Sequence, residues 1–144
     1  MKQLNILLAD DDTDDCDLFK EALGELALSA NFTAVHDGEQ LMQSLINKAD
    51  SLPDILFLDI NMPLKNGFQC LAEIKQHDKL KDLPVVILST SFEYEKISVL
   101  FKTGADVYVR KPNSFAQLVE VIQHALPMAS ENIPYGRLKY ILNA

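Results

Sequence analysis

The sequence predicts a doubly wound α/β fold, a five-stranded parallel sheet with helices on both faces. Short apolar runs alternate five times with segments whose apolar residues recur at helical spacing. The first, third and fourth runs are continuously hydrophobic, as strands buried on both sides must be. Such alternation implies right-handed βαβ crossovers and a sheet covered above and below.

Each element has its own signal. Leu4 to Ala9 (LNILLA) reads as a strand, and Phe19, Ala22, Leu23 and Leu26 then form a helical stripe. Phe32 to Val35 is a weaker strand, followed by a helix with Leu41, Met42, Leu45 and Ile46 on one face. Asp54 to Ile60 (DILFLDI) enters through Pro53 and leads past MPLKNG to a helix carrying Phe68, Leu71 and Ile74. Pro84 to Thr90 (PVVILST) is β-branched and continuous, and the helix after it bears Ile97, Leu100 and Phe101. Asp106 to Arg110 is the fifth strand, and its helix starts near Ser114 with the stripe Phe115, Leu118, Val119, Ile122 and Leu126.

Composition bounds the function. A chain of 144 residues, 48% hydrophobic, fits one domain with a sizeable core. A formal net charge of −8 argues against direct nucleic-acid binding and against anionic membrane surfaces. Cys16 and Cys70 stand far apart with no CxxC pair and are expected to fill apolar space, which disfavours a disulfide framework or a zinc site. No apolar run reaches membrane-spanning length and no signal-peptide core opens the chain, so a cytoplasmic location is expected.

Ligands of open α/β sheets sit beyond the carboxyl ends of the strands, so chemistry is sought there. The first strand ends in Asp10 and Asp11, the third in Asp59 and the fourth in Ser89, and Lys111 follows the fifth. If the first and third strands are neighbours, Asp10, Asp11 and Asp59 form a carboxylate cluster whose repulsion a hard, oxygen-seeking Mg²⁺ would relieve. Five aspartates occupy six positions from Asp10 to Asp15, and Asp12, Asp14 and Asp15 are expected to cap the first helix or lie in its first turn. Asp59, at the tip of a buried strand, can act as a nucleophile toward a phosphoryl group, with Lys111 neutralising charge and Ser89 donating a hydrogen bond. His36, His77 and His124 fall on separate elements and are not expected to be ligands or bases.

The ordered motifs ADDD, FLDINMP, ILSTS and YVRKP resemble the receiver domain of two-component response regulators, over about Met1 to Leu126. The resemblance implies a flavodoxin-like fold and phosphorylation of Asp59 by the phosphohistidine of a sensor histidine kinase or a histidine phosphotransfer protein. It implies that Asp10, Asp11 and Asp59 hold Mg²⁺ together with the backbone carbonyl of Asn61, and that Ser89 and Lys111 bind the phosphoryl group. Ser89 and Tyr108 match the pair that switches on phosphorylation in this family. Asn61 and Ser91, two residues past Asp59 and Ser89, flank the site. The long segment before the third strand is similar to stand-alone receivers paired with bacterial phytochrome kinases. Such a chain is no enzyme on a separate substrate, since it catalyses only its own phosphorylation and dephosphorylation.

Two other readings stand beside this one. A hydrolase of the haloacid-dehalogenase type needs an acid two places after the nucleophile, where this chain has Asn61. A degenerate receiver acting as an unphosphorylated interaction module usually lacks one of the acids or the lysine, all of which are present. Residues 127–144 read as a tail with no separate output domain, so the output is expected to be an unknown downstream protein, a second copy or a further phosphotransfer. The switched surface is expected on the fourth helix, fifth strand and fifth helix. Tail residues Ile133, Tyr135, Leu138, Tyr140, Ile141 and Leu142 are apolar enough to dock on the same domain or to support a homodimer.

Overall fold

The computed structural model describes residues 3–26, 29–90, 93–130 and 140–142. In chain order the elements are β1 (Leu4–Ala9), α1 (Thr13–Glu25), β2 (Ala30–Val35), α2 (Gly38–Asn47), β3 (Ile55–Asp59), α3 (Gly67–Gln76), β4 (Val85–Ser89), α4 (Tyr94–Thr103), β5 (Val107–Arg110), α5 (Phe115–Ser130) and β6 (Tyr140–Leu142). The strands pair in parallel in the order β2-β1-β3-β4-β5-β6.

The continuous apolar strands are explained by the two cores they feed. Side chains alternate across a strand, so Leu7, Ala9, Leu56 and Leu58 face α2, α3 and α4, where Leu41, Leu45, Leu71 and Ile74 meet them. Ile6, Leu8, Ile55 and Phe57 face α1 and α5, against Phe19, Ala22, Ile122 and Ala125. Phe19 holds this second core together, edge-on to Phe57 at 4.8 Å and stacked near Phe32 at 5.6 Å between ring centroids. Both faces of β3 and β4 are therefore dry, and their polar residues fall only at the ends.

The five parallel strands and five helices expected from the sequence are present, and β6 extends the sheet beyond them by pairing Tyr140 with Val107 and Leu142 with Val109. Tyr140, Ile141 and Leu142, expected as an apolar tail able to dock on the same domain, do so as a strand, which three residues are too few to signal by period. Ile133, Tyr135, Leu138 and Ser91 lie outside the described residues. α5 continues past Leu126 through Pro127 to Ser130.

Helix starts follow local chemistry. Asp12 caps α1 by accepting from Asp14 N at 2.9 Å and Asp15 N at 3.3 Å. Asp37 caps α2, and Asn66 with Gln69 forms a reciprocal capping box on α3. Gly67 matters more than its caps. Its amide donates to Ile60 O at 2.9 Å, and a Cβ there would stand 2.6 Å from Asp59 O, so only glycine lets α3 start against the end of β3. Gly104 ends α4 at φ 127°, a left-handed conformation that suits glycine.

Candidate functional site

Sheet register brings the predicted residues together. Ala9 pairs with Leu58, Asp59 with Leu88 and Ser89 with Arg110, so Asp10, Asp59, Ser89 and Lys111 come level along one edge of the sheet. The strand order reverses direction between β1 and β3, and Asp10 and Asp59 flank that point. Among the described residues the buried polar ones are Asp10 (1% exposed), Asp59 (4%) and Ser89 (1%), each at or just past the end of a strand. A fold places polar groups in such positions when something there needs them.

Carboxylate oxygens of Asp10, Asp11 and Asp59 lie within 4.8 Å of one another. The Lys111 ammonium donates to Asp10 Oδ2 at 2.8 Å and to Asp15 Oδ2 at 3.1 Å, and it lies 3.6 Å from Asp59 Oδ2. The other oxygen of Asp59 accepts from Asn61 N at 3.3 Å. Three carboxylates thus surround one ammonium, a fourth, Asp11, lies beside two of them, and the donors are all hard oxygens. This is the donor set a divalent cation with a preference for oxygen fits, and Asp10, Asp11 and Asp59 would hold it.

Electrostatics record the crowding. Burial pushes the Asp59 carboxyl from 3.8 up to about 6; Lys111 opposes the rise and Asp10 adds to it. Burial works against the Lys111 charge, yet the Asp10 hydrogen bond and the Asp59 carboxylate outweigh it and hold the ammonium above its ordinary range. Lys111 is therefore a fixed positive charge at neutral pH. Its backbone N donates to Ser89 O at 2.8 Å, which ties the lysine to the end of β4.

Tyr108 is buried in the core on the α3 and α4 side. It borders a cavity of about 160 Å³ shared with Ser89, Asn61, Phe68 and Leu100. A second cavity, about 140 Å³, runs from Asp10, Asp15 and Lys111 toward the exposed side chains of Leu18 and Phe115. Asn61 and Asp11 are exposed at the mouth of the site.

Three residues enter the site that sequence reasoning assigned elsewhere. Asp15 was expected to be a helix-start charge; it is that, and it also binds Lys111. The signal lay in its spacing, four residues before Phe19 and so on the buried side of α1. His36 Nδ1 lies 3.2 Å from the main-chain carbonyl of Asp10, and the Cys16 thiol donates to the same oxygen at 3.6 Å. Cys16 is buried as expected, but it is more than apolar filling. No local pattern signals a contact across 26 residues to a backbone oxygen.

The model of the response regulator receiver domain family matches residues 6–123. This chain belongs to that family. It is 30% identical over 122 residues to response regulator Rcp1 of Synechocystis sp., covering 82% of this chain and 83% of that one. A crystal structure of the Mn²⁺-bound form of Rcp1 matches with TM-score 0.78 at 29% identity over 92% of this chain and 98% of the other. The phosphorylated cyanobacterial phytochrome response regulator RcpA matches with TM-score 0.82 at 29% identity, over 94% of this chain and 99% of that one. Transcriptional regulatory protein CpxR of Klebsiella pneumoniae is 37% identical over 84% of this chain, which spans about half of its length, 48%. The receiver is thus the two-component kind, built on the flavodoxin-like fold of its structural neighbours. No helix among the described residues is long and apolar enough to cross a membrane.

Proposed function

We propose that this receiver accepts a phosphoryl group on Asp59, in a Mg²⁺-dependent reaction, from the phosphohistidine of a sensor histidine kinase or a histidine phosphotransfer protein. The observation that carries the reading is the setting of Asp59, a buried carboxylate 3.6 Å from the Lys111 ammonium and beside Asp10 and Asp11. The metal-bound state of Rcp1 and the phosphorylated state of RcpA support it.

In this reading an oxygen of Asp59 attacks phosphorus, a P–O bond forms, and the P–N electron pair returns to the donor imidazole. Asp59 is ionised at neutral pH, as a nucleophile must be. Lys111 holds a phosphoryl oxygen, and the Ser89 hydroxyl donates to another. Asp10, Asp11 and the Asn61 carbonyl join Asp59 in holding Mg²⁺, which when bound supplies neutralising charge. The chain acts on itself and is no enzyme for a separate substrate.

The new phosphoryl group carries roughly −1.5 to −2 charges, draws Ser89 toward it and biases Tyr108 within the neighbouring cavity. The signal leaves through the α4, β5 and α5 face, whose β5 edge is covered by β6, to a downstream protein in the cytoplasm. Residues 1–126 act as the receiver unit and residues 127–144 as its appended tail. The donor protein approaches over α1 and α5, where Leu18 and Phe115 expose apolar surface beside Asp15 and Lys111. A homodimer is a further candidate assembly, since β6 ends the sheet as an edge strand.

Intact-protein mass after incubation with acetyl phosphate tests the chemistry. One phosphoryl adduct is expected with Mg²⁺, none without it, and none in Asp59→Asn. An adduct that persists in Asp59→Asn would remove Asp59 from the role.

A further inference from the structure

We propose that His36 is a positioning residue for the metal site, holding the main-chain carbonyl of Asp10 through Nδ1–H and so fixing the direction of the Asp10 carboxylate. The proposal rests on the reading that Asp10, Asp11 and Asp59 hold Mg²⁺.

Asp10 stands just beyond β1, where strand pairing ends and the peptide plane needs other anchors. Its amide donates to Val35 O at 3.0 Å. Its carboxylate accepts from Asp12 N at 3.0 Å and from Lys111 Nζ at 2.8 Å. The carbonyl that remains has two lone pairs and two neighbours, His36 Nδ1 at 3.2 Å and the Cys16 thiol at 3.6 Å. Nδ1 also lies 3.9 Å from the Cys16 sulfur, but the carbonyl is the nearer partner and cannot donate, so with the thiol proton directed to that same carbonyl the contact assigns the proton of the neutral imidazole to Nδ1.

The imidazole is itself anchored. His36 N donates to Gln40 Oε1 at 2.9 Å, and Gln40 N donates to Asp37 Oδ1 at 2.8 Å in the cap of α2. Cys16 comes from α1, on the other side of β1. The end of β1 is thus gripped from α1 and from the turn that precedes α2, and a side chain rotating about Asp10 Cα starts from a fixed plane. Groups that orient a ligand from behind commonly change metal affinity about 10–100-fold when removed.

Calorimetric titration of the metal-free protein with MgCl₂ at pH 8, together with thermal unfolding before metal is added, tests the assignment. Asn at position 36 puts an amide nitrogen where Nδ1 stands, whereas Gln reaches toward Nε2. His36→Ala and His36→Gln are expected to weaken Mg²⁺ binding about tenfold, and His36→Asn to stay within about threefold of the parent. Folded His36→Gln that binds like the parent, or His36→Asn as weak as His36→Ala, overturns the proposal. Long-range ¹H–¹⁵N correlation on the parent protein reads the tautomer directly, whatever the variants do. A proton on Nδ1 is expected, and one on Nε2 alone overturns the proposal. A parent protein that binds no Mg²⁺ overturns the metal reading instead, and the two failures are distinguishable.

Discussion

The Lys111 ammonium bridges two carboxylates at hydrogen-bond distance, Asp10 at 2.8 Å and Asp15 at 3.1 Å, so a single cation ties the end of β1 to the first turn of α1. Asp15 competes for the charge that the reaction needs. Its side chain is 41% exposed, so the pair is worth only about 0.5–1 kcal/mol. Asp15→Asn is expected to lower stability by less than about 1 kcal/mol and to speed labelling by acetyl phosphate about two- to fivefold at saturating Mg²⁺. Mass time courses of the two proteins measure it, and slower labelling would mean that Asp15 holds Lys111 in place for the reaction.

Asp59 makes the fold less stable at neutral pH. Its folded pKa of about 6 exceeds the ordinary 3.8, chiefly through burial, so the folded state binds this proton more tightly than the unfolded chain. Stability then falls as pH rises from about 4 to about 6, by on the order of 2–3 kcal/mol. Asp59→Asn is expected to be more stable than the parent by about 2 kcal/mol at pH 7.5 and nearly equal to it at pH 4 in metal-free urea unfolding. Equal stability at both pH values would place the burial cost elsewhere.

Metal should offset the same crowding. Mg²⁺ at 100 times its Kd is expected to stabilise the parent by about 2.7 kcal/mol, and a chelator to reverse the gain. Asp10→Asn and Asp11→Asn should lose most of this response, measured as the shift of the melting temperature with added MgCl₂.

The sequence made the strands and their ends readable for one reason. Runs such as Ile55 to Leu58 are buried on both faces, and a carboxylate that closes such a run is conspicuous. Asp59, Asp10, Ser89 and Lys111 were found by position alone. Asp15, Cys16 and His36 were not, because their partners are set by tertiary placement: an ammonium 96 residues away for Asp15 and a backbone oxygen for the other two. β6 escaped for want of length, with only three residues.

The turn at Leu64 carries strain that a sequence pattern does not display. Lys65 N donates to Pro63 O at 2.7 Å across Leu64, whose φ is 69°. A three-residue turn with positive φ at its centre is rare and strained, and left-handed backbone costs a side-chain-bearing residue roughly 1–2 kcal/mol. Leu64 recovers little by packing, since it is 72% exposed. Glycine removes the steric cost but adds freedom to the unfolded chain, which takes back part of the gain. Leu64→Gly is therefore expected to stabilise by about 0.5–1 kcal/mol, whereas Leu64→Ala, still bearing a Cβ, should change little. Urea unfolding of the three proteins separates the cases. If both substitutions destabilise equally, the leucine side chain does the holding and the backbone account of this turn is wrong.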